Sequence, residues 1–92
     1  MEYRIALAQL APHLGELDAN LELARGWLRR AATEDAQLTV FPELALTGYL
    51  LGDLVPDIAM HASDPRMATL SREAPGMLVA VGFVEETDAH RF

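Results

Sequence analysis

Leu38-Thr39-Val40-Phe41-Pro42-Glu43-Leu44-Ala45-Leu46-Thr47-Gly48-Tyr49 decides how the chain is read. Residues 38–41 form an apolar run that reads as a buried strand. Pro42 ends regular pairing, because it has no N–H to give a ladder. Glu43 follows at once, then the apolar trio Leu44-Ala45-Leu46, then a turn at Thr47-Gly48. A carboxylate among apolar neighbours at the C-terminal end of a strand is costly unless it has a partner or a task. In open α/β sheets that end of the strand is where sites are built. The plain alternative is a loop acid that points at water.

Working outward toward the N-terminus, residues 3–10 read as a first strand. Tyr3, Ile5 and Leu7 share one face, and Ala6, Ala8 and Leu10 the other. Both faces are mostly apolar, which predicts a strand covered on both sides. The alanines leave room for a close neighbour. Residues 11–17 connect it to a helix, punctuated by Pro12 and Gly15. Asp18 or Asn20 is the expected cap. Leu21, Ala24, Leu28 and Ala31 then recur at helical spacing, with Leu23 and Trp27 widening the stripe, over about four turns. Glu22, Arg25, Arg29 and Thr33 lie opposite. The Arg25-Arg29-Arg30 group reads as a solvated face rather than an anion site.

Toward the C-terminus, residues 50–62 mix Gly52, Asp53, Pro56 and Asp57 with apolar residues. They read as an ordered loop with a helical turn. Ser63 or Asp64 caps the next helix, with Pro65 at its first position. Met67, Leu70 and Ala74 form its apolar face. Pro75-Gly76 is a turn, and residues 77–84 make a third strand rich in valine. The order β-α-β-α-β predicts an α/β layered fold with parallel strands. Residues 38–41 should lie between the other two strands or beside one of them.

Composition bounds the function. The 92 residues suffice for one domain, residues 1–92. They are 51% apolar and 23% charged, which suits a packed core. The net charge of −7, with no basic patch, argues against nucleic acid as a partner. No apolar run approaches the roughly 20 residues of a spanning helix, so no membrane role is expected. The N-terminus lacks the layout of a signal peptide, which makes the cytoplasm the expected location. The seven cations are all Arg, and Lys and Cys are both absent from these residues. Disulfides and thiolate ligands are thereby excluded within them. His13, His61 and His90 are scattered without ligand spacing, so neither a metal nor another cofactor is expected.

Phe41-Pro42-Glu43-Leu44 followed by Leu46-Thr47-Gly48-Tyr49 resembles the glutamate motif of the carbon–nitrogen hydrolases, the nitrilase superfamily. Arg4-Ile5-Ala6-Leu7-Ala8-Gln9-Leu10 resembles that family's first strand, and the likeness continues through Gly82-Phe83-Val84-Glu85-Glu86. The resemblance implies a four-layer α-β-β-α sandwich, of which these residues would be one incomplete N-terminal part. It implies hydrolysis of non-peptide amides through a Glu, a Lys and a Cys, with a thioester intermediate. Glu43 matches the family's general base. Burial against Phe41, Leu44 and Leu46 is expected to desolvate it and raise its basicity. Tyr49 either lines the substrate pocket or packs on the loop, and both readings stay open. The Lys and Cys would lie beyond Phe92, so these residues alone are expected to be inactive. A complete domain of this kind is expected to act on a small amide and to form a homo-oligomer.

Leu46-Thr47-Gly48-Tyr49 with Gly52-Asp53-Leu54 is similar to amide-cleaving members, which makes an amidase the preferred reading. Within the family, the glutamine-hydrolysing domain of NAD synthetases is the alternative. Outside it, the alternative is a non-catalytic α/β module, or a truncated product, that acts by protein association.

Overall fold

All three apolar runs become strands of one parallel sheet in the computed structural model, which describes residues 2–49 and 51–92. Strand β1 is Ile5–Leu7, helix α1 is Leu17–Thr33 and strand β2 is Leu38–Val40. A 3-10 turn at Gly52–Leu54 leads into the short helix α2, Val55–Ile58. Helix α3, Pro65–Glu73, precedes strand β3, Leu78–Ala80. The strands run β1-β2-β3 across the sheet, as the βαβ order predicts. Ile5 aligns with Leu38 and Leu78, and Leu7 with Val40 and Ala80. The ladders are three residues long, but flanking bonds extend them. Gln37 N–H donates to Arg4 O at 2.8 Å and Leu78 N–H to Gln37 O at 3.0 Å. Phe41 N–H donates to Ala80 O at 2.9 Å.

One face of the sheet is built for helices. Ala6 of β1 and Ala8 just beyond it carry little bulk on the side that faces α1, and a cavity remains between them and the helix. Thr39 beside them is buried and donates its hydroxyl hydrogen to the Met77 sulfur at 3.0 Å. Leu17, Leu21, Ala24, Leu28 and Ala31 of α1 all point inward, and Leu28 is fully buried. A leucine so placed contributes about 1.5–3 kcal/mol relative to an exposed one. Leu70 and Met67 of α3, with Phe41, Leu46 and Met60, complete the same core.

The other face differs from the expectation that β1 is covered on both sides. Tyr3, Ile5, Leu7 and Leu78 are 54–73% exposed. Side chains alternate across a strand, and both long helices lie on the opposite face. Nothing among the described residues covers this one.

The helix ends show one expectation met and one corrected. Asp64 caps α3, its carboxylate accepting from Arg66 N–H at 2.8 Å, with Pro65 next. Helix α1 begins at Leu17 with no side-chain cap, so neither Asp18 nor Asn20 has that role. Asn20 lies a turn inside the helix and is buried. The arginines of α1 also differ from a merely solvated face. Arg25 Nη2 lies 2.6 Å from Glu73 of α3, and Arg29 Nη1 lies 3.3 Å from the same carboxylate. Glu73 is consequently held below its ordinary carboxylate value, chiefly by the Arg25 hydrogen bond. Arg30 instead lies over the Trp27 ring, 5.4 Å from its centroid. No described helix is long and apolar enough to cross a membrane.

Candidate active site

The loop after β2 turns sharply because Pro42 stops the ladder and Leu44 enters the left-handed region, with φ of 51°. For a leucine this conformation costs about 1–2 kcal/mol, so the surroundings must hold it there. Thr47 and Gly48 N–H both donate to Leu44 O, at 3.1 and 2.8 Å, closing the turn. Gly48 has φ of 84°, and a Cβ there would lie 3.2 Å from Leu14 Cδ1. This position therefore favours glycine for its conformation.

Three neighbours fix the turn from different sides. The end of β3 takes one bond, from Leu46 N–H to Gly82 O at 3.3 Å. The β1–α1 connection supplies another, from Gly15 N–H to Thr47 O at 2.8 Å. Helix α1 supplies the third through Asn20, whose amide N–H donates to Leu46 O at 2.9 Å. Asn20 also accepts from His13 N–H and donates to His13 O, each at 2.7 Å. It thereby ties two loops at the same edge of the sheet to the helix. A buried amide satisfied in this way stabilises, whereas the same amide unpaired would cost about 1–3 kcal/mol.

Sequence reasoning missed this role, although a signal was present. Asn20 falls on the helical stripe of Leu17, Leu21, Ala24 and Leu28. A polar residue on a buried stripe requires partners.

The buried part of the loop is Ala45-Leu46-Thr47-Gly48, and Glu43 is exposed. The expectation that Phe41, Leu44 and Leu46 would bury the carboxylate is corrected here. Phe41 and Leu46 turn into the core, while Glu43 leaves the turn on its outer side. Tyr49 is 57% exposed at the far end of the same loop. Glu43 therefore stands at the C-terminal edge of the sheet on a fixed turn, with an open approach. A cavity of about 220 Å³ between β1 and α1 is lined by Ala6, Ala8, Trp27, Arg30, Ala31 and Thr39, among others, and not by the Glu43 loop.

Of the histidines, His13 touches this network only through its backbone, and the other two lie elsewhere. His61 and His90 are exposed beside Glu86, with His90 Nδ1 3.2 Å from its carboxylate. No group of three or more His, Cys, Asp or Glu among the described residues is arranged to hold a metal ion.

A family model described as carbon-nitrogen hydrolase matches residues 4–91. The glutamine-dependent NAD(+) synthetase of Acinetobacter baylyi is 31% identical over 91 residues, which are 98% of this chain and 17% of that protein. Proteins of the same name from Rhodobacter capsulatus and Thermotoga maritima are each 35% identical. They match 96% and 92% of this chain, and 17% and 15% of their own lengths. The solved structure of glutamine-dependent NAD+ synthetase from Acinetobacter baumannii, in complex with adenosine diphosphate, matches with a TM-score of 0.76 at 29% identity. That match covers 97% of this chain and 17% of the solved one. The chain thus spans about a sixth of the length of the relatives it matches.

Proposed function

The chain belongs to the carbon–nitrogen hydrolase family, and we propose that it supplies the general base, Glu43, to a domain that hydrolyses the side-chain amide of glutamine. The observation that carries this reading is the match of more than nine-tenths of the chain to three glutamine-dependent NAD(+) synthetases. Within the family the glutamine-hydrolysing reading is thereby preferred to a general amidase. The rigid turn that presents Glu43 at the edge of a nitrilase-like sheet supports the assignment.

Hydrolysis of an amide needs a nucleophile, a base and a donor for the developing oxyanion. In the proposed reaction a Cys thiol gives its proton to Glu43 as its sulfur attacks the amide carbon. A Lys stabilises the tetrahedral oxyanion. Ammonia leaves with the proton that Glu43 returns, and a thioester remains. Glu43 then takes a proton from the attacking water, and the carboxylic acid departs as the thiol re-forms. Residues 1–92 contain neither Lys nor Cys. Both groups belong in this reading to other parts of the protein, and a polypeptide of these residues alone is inactive. The same outside parts supply the surface that desolvates Glu43 and, as a second sheet, cover Ile5, Leu7 and Leu78. Tyr49 faces the substrate from the end of the loop.

The test is Glu43→Gln in the protein that carries these residues together with that Lys and Cys. Ammonia release from glutamine should fall by about 10²–10⁴-fold. Where that protein also has the synthetase activity its relatives are named for, synthesis supplied with free ammonia should continue at the parent rate, because it bypasses the amide. Glutamine turnover within threefold of the parent would remove Glu43 from the mechanism.

A further inference from the structure

Gly82 lies two residues beyond β3, and backbone conformation does not explain why it is glycine. The left-handed glycines among the described residues are Gly15, Gly48, Gly52 and Gly76, and Gly82 is not one of them. Its peculiarity is a close approach. A Cβ built on Gly82 would overlap the backbone nitrogen of Leu44 and lie 3.3 Å from the Glu43 carbonyl carbon and from Leu44 Cα. The obstacle is main chain, so no side-chain rotation relieves it. The same strand end accepts the Leu46 N–H bond at 3.3 Å, so β3 touches the turn at two points.

We propose that Gly82 is a positioning residue for Glu43: the bare backbone at the end of β3 is the seat against which the Glu43–Leu44 peptide rests. This inference rests on the reading of Glu43 as the base. Leu44 pays for its left-handed φ through the contacts that hold the turn, and of these Gly82 is the one that lies against the Glu43–Leu44 peptide itself. A methyl group at position 82 forces the peptide away by roughly an ångström to reach ordinary van der Waals separation. Misplacement on that scale costs about 10²-fold in rate where a reacting group must be held in line. The core is spared, because the displaced segment carries the exposed Glu43 and the half-buried Leu44.

The experiment is Gly82→Ala in the protein that carries the Lys and Cys, with Glu43→Gln alongside. The expected result is a kcat for glutamine hydrolysis about 100-fold lower, a KM within about twofold, and a Tm close to that of the parent. A crystal structure of the variant should show Glu43 Cα displaced by roughly an ångström. Leu44→Gly approaches from the other side. Glycine there removes the side chain that confines the turn and widens its range of conformations without adding bulk against Gly82, and should also lower kcat with KM held. An unmoved Glu43 in Gly82→Ala, or an unchanged kcat in both variants while Glu43→Gln is inactive, overturns the proposal. So does a Gly82→Ala protein that fails to fold while Leu44→Gly keeps full kcat, since Gly82 then serves the fold alone. If Glu43→Gln itself retains turnover, the functional reading fails first, and the displacement seen in the crystal still reports on the contact.

Discussion

The two faces of the sheet carry similar side chains and live in different surroundings. The covered face seats Ala6, Ala8, Thr39 and Val79 beneath α1 and α3. The open face presents Tyr3, Ile5, Leu7 and Leu78 with nothing upon them among the described residues. Apolar character therefore does not distinguish the faces. On β1 side-chain size does: Ala6 faces the helices and Ile5 and Leu7 the open side, whereas on β3 Val79 faces the helices and the small Ala80 the open side. A face of large aliphatic and aromatic groups is suited to meeting another sheet about 10 Å away, whereas alanines admit a helix.

The largest test of this contrast compares Leu28→Ala with Leu7→Ala. Leu28 is fully buried, and its truncation should cost about 2–5 kcal/mol in any protein that contains these residues. Leu7 is 71% exposed, and its truncation in the 92-residue polypeptide should stay within about 0.5 kcal/mol. In the longer protein the cost at Leu7 should rise toward that of a core position. Urea unfolding of both variants in both backgrounds reads the difference. An equal, small cost at Leu7 in both backgrounds would mean that no second layer covers this face.

Asn20→Ala sharpens the comparison from the covered side. It strips partners from the Leu46 and His13 peptides and should cost about 1–3 kcal/mol. The loss should show as faster amide exchange in residues 13–16 and 44–48, with the sheet protected. Uniform loss of protection across the sheet would show that Asn20 supports the whole fold rather than these two loops.

The smallest effect expected is at the rim where α1 meets α3. Arg25 lowers the Glu73 value in the folded state. A depressed carboxylate contributes stability that is present above its unfolded value and is lost as pH falls through the folded one. Acid titration of Tm should therefore fall less steeply in Glu73→Gln than in the parent below the ordinary carboxylate range. Identical slopes would show that the pair is screened by solvent.

Much of this was legible in the chain. Leu38-Thr39-Val40 against the stripe of Leu21, Ala24 and Leu28 requires a strand and an amphipathic helix, since period two and period 3.6 each leave one arrangement that buries the apolar groups. Asp64-Pro65 predicts the start of α3 through a side chain that reaches its own backbone. Parallel pairing follows from the crossover helices. The motif around Glu43 resembles the family's in the sequence alone, and the family model over residues 4–91 bears the resemblance out.

What the tertiary structure decided depends on groups far apart in the chain. Asn20 looks like a cap until Leu46 O and His13 occupy it. Arg25 and Arg29 look solvated until Glu73 arrives from α3, 44–48 residues away. Glu43 looks buried by its neighbours until the turn sends Phe41 and Leu46 one way and the carboxylate the other. Gly82 looks like ordinary strand-end punctuation until the Leu44 peptide lies against it. Local sequence determines which hydrogen bonds and periodicities a segment can satisfy by itself. Which distant group fills a remaining polar partner, or a remaining space, is settled only when the sheet brings the segments together.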